Sequence, residues 1–374
     1  MKFNVSSATF CNRLQTISRV QSSKSSLPIL DCILFELTDD ELTMTASDSE
    51  TTIVTSLAIS DSEGTGCFAI ESKQLINSIK EISDQPITIQ VNVETLQVEV
   101  NYQNGRYNLM GQHPDDYPVP IDDEDTSATL LMPGSMLSDG LSRSLFATAD
   151  DELRPQMNGI FFDISPEYVT MVASDGHKLV RDRMLSVHGE ELRSFILPKK
   201  PALLLKSILP KEEGDVQISF SDRNARVQLA NYRISCRLIE GRYPNYNSVI
   251  PSDNPFRVMV DRLSLISALR RVSVFASAAS SLIKLHIDNN TLTVSAQDID
   301  FSTSAEESIM CDYNGNPMAI GFSGPFLLEV LNSITSQEVV LELADPSRAG
   351  VILPAEQNPG EDLIVLLMPM MLQD

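Results

Sequence analysis

Apolar and polar residues alternate along much of this chain, and three pairs of alternating segments stand out. ILFEL and LTMTA flank a polar turn at Thr38 to Glu41. GIFFDI and YVTMVA flank Ser165 to Glu167, and IKLHI and TLTVSA flank Asp288 to Asn290. A period of two broken by Asp, Asn and Pro predicts a β-hairpin each time. Every second segment ends in a small residue, a polar residue and an aspartate: Ala46-Ser47-Asp48, Ala173-Ser174-Asp175 and Ala296-Gln297-Asp298. These aspartates are 127 and 123 residues apart. Tyr117-Pro118, Tyr243-Pro244 and Met368-Pro369 place prolines 126 and 125 apart. Two independent markers with one period predict three repeated domains, 1–125, 126–251 and 252–374. The boundaries fall in the acidic run Ile121 to Thr126 and in Pro251 to Pro255.

The period lengthens to that of a helix twice in each repeat. The first helix follows a polar cap: Ser6-Ser7 before Ala8 to Val20, Gly134-Ser135 before Met136 to Thr148, Asp261 before Arg262 to Ala276. The second lies mid-repeat, at Ser72 to Ile82, Lys199 to Leu209 and Ser323 to Thr335. Pro201 and Pro325 sit in first turns, where the missing N–H has no intrahelical partner. Each domain is then two helices and about eight strands, an α+β architecture with antiparallel sheets.

The 374 residues carry 28 Lys plus Arg against 51 Asp plus Glu, a net charge of −23. An acidic balance argues against nucleic acid until its distribution is examined. The six helical segments, taken generously as 7–24, 72–82, 134–148, 198–211, 261–275 and 323–335, hold thirteen basic and four acidic residues. The remainder holds 15 basic and 47 acidic ones. Helices favour Lys and Arg, but Glu is as good a helix former and only two occur there. Gathered on one surface, these helices would attract phosphates without reading sequence. The last helix has no basic residue.

Five scattered cysteines without C-x-x-C spacing fit reduced thiols in a cytoplasmic protein. The longest apolar run, Leu363 to Leu372, contains Pro369 and is too short to span a bilayer. It reads either as a last core strand with a tail or as a deformable binding surface rich in Met. No P-loop, dinucleotide fingerprint or paired metal-ligand histidines occur, so no cofactor or metal is expected. Asp175 and His177 could form an acid/base pair. The alternative is a tight turn with Asp175 capping it and Gly176 at positive φ, favoured because Asp48 and Asp298 recur without the histidine.

Leu27-Pro28-Ile29-Leu30, Asn158-Gly159-Ile160, Ser174-Asp175-Gly176-His177-Lys178-Leu179, Glu240-Gly241-Arg242-Tyr243-Pro244-Asn245-Tyr246 and Met368-Pro369-Met370 occur in this order. The set resembles the bacterial DNA polymerase III beta subunits, the sliding-clamp family, over the whole chain. The resemblance implies three domains of the DNA clamp type and a ring-shaped homodimer closed head to tail around duplex DNA. The clamp is a processivity factor for a DNA-directed DNA polymerase, a nucleotidyltransferase, with no catalytic residue of its own.

By resemblance, Arg13, Arg19, Lys24, Lys73, Lys80, Arg143, Arg154, Lys199, Lys200, Lys206, Arg270 and Arg271 would meet the DNA backbone independently of sequence. A hydrophobic peptide-binding groove between domains two and three would comprise Met157, Ser174, Gly176, His177, Leu179, Pro244, Val249, Phe326, Leu366, Met368, Pro369 and Met370. Its occupants would be the replicative polymerase's catalytic subunit, the clamp loader, and repair and replication proteins carrying clamp-binding peptides. Tyr107 and Leu109 would meet Val274 and Phe275 of the second copy. Met371 departs from the family, which has an arginine there, and Ser280 and Ser323 are small groove positions. A metal-assisted hydrolase using Asp175 and His177, and a peptide-binding scaffold indifferent to DNA, are the rival classes.

Overall fold

The computed structural model describes residues 1–22, 27–118 and 128–372. Lys24 and the acidic run at 121–126 lie outside these residues. Six helices form where the period predicts them: α1 (Ser7–Ile17), α2 (Ser72–Ile79), α3 (Gly134–Ser144), α4 (Lys199–Ile208), α5 (Arg262–Val272) and α6 (Gly324–Ser333). Ser6 Oγ accepts from the Thr9 N–H and Asp261 Oδ1 from the Ser264 N–H, so two of the expected caps close orphan donors at a helix start. Four helices are shorter than their apolar pattern. Each continues as one 3₁₀ turn, at Ser18–Val20, Leu145–Ala147, Leu209–Lys211 and Ser273–Phe275.

The chain divides into two compact units, Met1–Ser138 with Lys200–Leu238, and Asp139–Lys199 with Ile239–Asp374. The first holds a five-stranded and an eight-stranded antiparallel sheet. The first hairpin forms in register, Phe35 opposite Met44. The strand Ser60–Glu63 escapes the alternation pattern because SDSE is wholly polar. It lies at a sheet edge, where polar sequence resists further pairing. Phe10 of α1 packs 6.1 Å from Phe35, which stacks at 5.0 Å on Phe68; all three are fully buried. Each such ring contributes roughly 1.5–3 kcal/mol by leaving water.

In the eight-stranded sheet, Tyr232–Arg237 pairs with Thr51–Ala58, with Ile234 opposite Ile53. The end of the second repeat is thus joined to the first by backbone hydrogen bonds.

The second unit holds one twelve-stranded sheet. Its second and third hairpins also form in register, Phe162 opposite Met171 and Ile287 opposite Leu292. Lys178–Met184 pairs along its length with Glu361–Leu367, joining the second repeat to the third.

Behind this joint Arg143 is buried, with Nη1 2.7 Å from Glu361 Oε2 and 3.2 Å from Asp182 Oδ2. Arg143 was expected on a DNA-facing surface; the structure corrects this. The outward positions of α3 are Ser135, Asp139 and Ser142, and Arg143 points inward to neutralise two buried carboxylates. Arg262, one of the thirteen helical basic residues, also turns inward and donates to the carbonyls of Ser336 and Leu331.

Among the described residues no helix is long and apolar enough to cross a membrane.

Candidate functional site

The recurring aspartates do one job three times. Asp48 Oδ1 accepts the N–H groups of Glu50 and Thr51, Asp175 Oδ1 those of His177 and Lys178, and Asp298 Oδ1 those of Asp300 and Phe301. Ser174 Oγ donates to the Lys178 carbonyl and accepts from the Gly176 N–H; Gly176 sits at φ +93°. The acid/base reading of Asp175 and His177 gives way to a hairpin turn. Asp175 Oδ1 is occupied by the backbone, and the His177 ring lies near Phe326, ring centres 6.3 Å apart.

This turn is one lip of an apolar surface. Leu179 and Leu366 are opposite residues on paired strands. They are buried in one cluster with Tyr243, Tyr246 and Val351, and Phe161 stacks on Tyr243 at 4.7 Å. These residues form its floor. Ser174 is buried on the strand that carries Val172, and Met157 is buried in the 3₁₀ turn Pro155–Met157, while Gly176, His177, Pro244 and Val249 are exposed.

The chain end runs past the turn as a strap. The Met368 N–H donates to the His177 carbonyl, and the Met370 N–H donates to the Gly321 carbonyl. A Cβ at Gly321 would lie 2.7 Å from the Met370 carbonyl oxygen, so only glycine admits the strap. Pinned at both points, Met368 is 45 % exposed, and Pro369, Met370 and Phe326 are half-buried. Exposed thioether on a fixed backbone makes a wall that can reshape around different apolar side chains.

Lys178 belongs to this site, although the residue set expected from sequence omits it. Its side chain is 6 % exposed. Nζ lies 2.7 Å from Glu329 and 3.5 Å from Asp175, beneath the ring of Phe326. No sequence signal separates a lysine in that place from a solvated one.

The basic residues divide into engaged and free. Lys199 pairs with Asp150 at 2.7 Å, Lys200 with Asp48, and Arg271 bidentately with Glu307. Arg13 donates to Asn231 and lies over the Tyr232 ring. Arg154 pairs with Asp151 at 2.8 Å and leans on the Asp175–Gly176 turn. Arg19, Lys73 and Arg270 are exposed, Lys80 is exposed beside Glu81 at 3.8 Å, and Lys206 is half-buried. On α2, Lys73, Asn77 and Lys80 share one outward face opposite buried Leu75 and Ile79. The charge available to a polyanion is thus smaller than the helical tally suggests.

Of the residues expected at an interface between copies, Val274 is 78 % exposed and Phe275 40 %. Tyr107 is half-buried against Tyr102. Leu109 is buried within its own chain, and on Gly105–Met110 the exposed side chains are Arg106, Asn108 and Met110.

Three family models match consecutive stretches: the DNA polymerase III beta subunit N-terminal domain at residues 1–121, its central domain at 132–245 and its C-terminal domain at 247–371. The chain belongs to this family. Among relatives, the beta sliding clamp of Haemophilus influenzae is 27% identical over 372 residues, and that of Pseudomonas aeruginosa 25% over 373, each covering 100% of both chains. The crystal structure of the Pseudomonas aeruginosa clamp bound to griselimycin superposes with a TM-score of 0.93 at 25% identity, covering 100% of both chains. The family is one of non-catalytic processivity factors, and its fold of three clamp domains, with few helices packed on antiparallel sheets, is the one seen here.

Proposed function

We propose that this chain is the cytoplasmic sliding clamp of a replicative DNA polymerase, working as a homodimeric ring around duplex DNA. Its domains run 1–125, 126–251 and 252–374. The match to all three clamp-domain models along one chain carries this reading.

The mechanism is topological. A closed ring leaves the duplex only by opening, so weak backbone contacts suffice and sequence-specific ones would obstruct sliding. The exposed Arg19, Lys73, Lys80 and Arg270 and the half-buried Lys206 supply such contacts, with Lys199, Lys200, Arg271 and Arg154 exchanging acidic partners, and Arg13 its Asn231 partner, for phosphate as the duplex passes. Ring closure has candidate edges. Gly105–Met110 ends the five-stranded sheet, and Thr303–Asp312 meets Phe256–Asp261 only through Asp312 and Cys311. Unpaired backbone groups of this kind accept a strand from a second copy. The apolar surface around Met368 and Phe326 takes short peptides of the polymerase subunit, the clamp loader and repair proteins.

Retention on nicked circular DNA, with release on linearisation, tests the clamp. Equal retention on both forms, or none on either, would sink it. Turnover by the pure protein that is lost with His177→Ala would favour the hydrolase instead.

A further inference from the structure

Residues 239–255 lead from the second repeat into the third and carry two of the groove positions, Pro244 and Val249, both exposed. The two ends of this connector are tied to backbone. The Ile239 N–H donates to the Ile196 carbonyl, and Asn254 Nδ2 donates to the carbonyls of Glu342 and Ala349 at 2.9 and 3.1 Å. Between the ends, Tyr243 and Tyr246 turn inward onto one strand. Gly159–Ile164 receives them with Phe161 and Asp163, which alternate onto the same face. Tyr243 stacks on Phe161 at 4.7 Å with the planes 5° apart, and the Tyr246 ring tilts against Phe161 at 6.3 Å. The Tyr246 hydroxyl donates to Asp163 Oδ2 at 2.7 Å. Both tyrosines are buried, and Asp163 is half-buried. Tyr246 also opens the 3₁₀ turn that ends at Val249. Pro244 is thus bracketed by two pinned rings, and Val249 closes the turn that the second ring begins.

We propose that Asp163 is a positioning residue of the groove: its bond to the Tyr246 hydroxyl fixes how the connector sits on the sheet, and so where Pro244 and Val249 stand against an apolar peptide. The proposal rests on the groove reading and deepens it, because it assigns the fit of one wall to a polar pair outside the residue set expected there. Two arguments carry it. Apolar contact is non-directional, so stacked rings alone would let the connector slide, whereas a hydrogen bond to a carboxylate has a length and a direction. Phenylalanine at position 246 would bury the same ring, so the hydroxyl and its acceptor add geometry rather than area. A wall fixed before the ligand arrives leaves less to be ordered on binding, and the peptide binds more tightly for it.

The test uses the full-length protein and a fluorescent apolar pentapeptide selected on it from a random library, with binding lost in Met368→Lys. Tyr246→Phe removes one oxygen and should weaken that peptide about tenfold, measured well below the melting temperature. Asp163→Leu should match it, and the double variant should lose no more than either alone. Asp163→Asn keeps an oxygen that accepts the hydroxyl proton and should bind within about threefold of the parent, a rescue that a general loss of packing would not show. Retention on nicked circular DNA should be the same for all four variants. Parental affinity in both Tyr246→Phe and Asp163→Leu, or additive losses in the double variant, overturns the positioning while leaving the groove intact. So does a loss in Asp163→Asn equal to that in Asp163→Leu. Failure to select any pentapeptide lost in Met368→Lys overturns the groove and the positioning together.

Discussion

The ammonium of Lys178 lies 4.1 Å from the centre of the Phe326 ring, which makes a half-buried groove wall depend on a buried charge. A cation over an aromatic face contributes ~1–2 kcal/mol when desolvated. Lys178→Met keeps the stem and removes the charge. The expected result is a melting temperature lower by a few degrees and about tenfold weaker binding of an apolar groove peptide, read by calorimetry and fluorescence titration. If the melt drops while peptide affinity holds, Phe326 is positioned by something else.

Asp182 is completely buried, and that burial raises its carboxyl to about 6 despite the facing Arg143, with Glu361 adding to the rise. The unfolded carboxyl titrates near 4. A folded value above the unfolded one means that the folded chain binds the proton more readily. The stabilisation is therefore full below about pH 4 and is lost as pH rises through about 6. Asp182→Asn should flatten the slope of unfolding midpoint against pH in that window, seen in urea melts at three pH values. Parallel slopes for the two proteins would assign the dependence to other groups.

Salt dependence of DNA binding separates exposed from buried cations. Each phosphate contact contributes about 0.9 to the slope of log affinity against log salt. Lys73→Ala/Lys80→Ala should lower the slope on duplex DNA by about two. Arg143→Leu should leave the slope of the folded fraction unchanged, while breaking the buried pair costs roughly 3–5 kcal/mol of stability. A reduced slope in folded Arg143→Leu would contradict its inward placement.

Gly321→Val places a side chain where the Met370 carbonyl now sits, 2.7 Å from the new Cβ. The strap should lift from the sheet edge, so proteolysis after Met368 speeds up and groove peptides bind at least tenfold more weakly. The melting temperature should change little, since the strap contributes few buried side chains. Unaltered peptide affinity would mean that the groove does not need the strap.

Much of the fold was legible because it repeats. The hairpins, the aspartate turns and the six helices follow from local periodicity and capping, which act within a few residues. The groove floor was legible only through resemblance, since Leu179 and Leu366 are far apart in sequence and meet through a sheet register that no local pattern encodes. Arg143 and Lys178 were misread or missed for one reason. Charge counts treat a basic side chain as solvated, and nothing short of the packed chain shows Asp182, Glu361 and Glu329 waiting for it.

The ladder between Lys178–Met184 and Glu361–Leu367 carries one more implication, for how this surface can evolve. Side chains there can be exchanged singly without altering the register. Chain length is another matter. One residue gained or lost within the last strand would shift the phase of every position after it, turning Leu366 to the opposite face and drawing Met368 out of reach of the His177 carbonyl. The lineage that carries this protein is thus free to retune what the pocket prefers, yet bound to a fixed count of residues up to Met370.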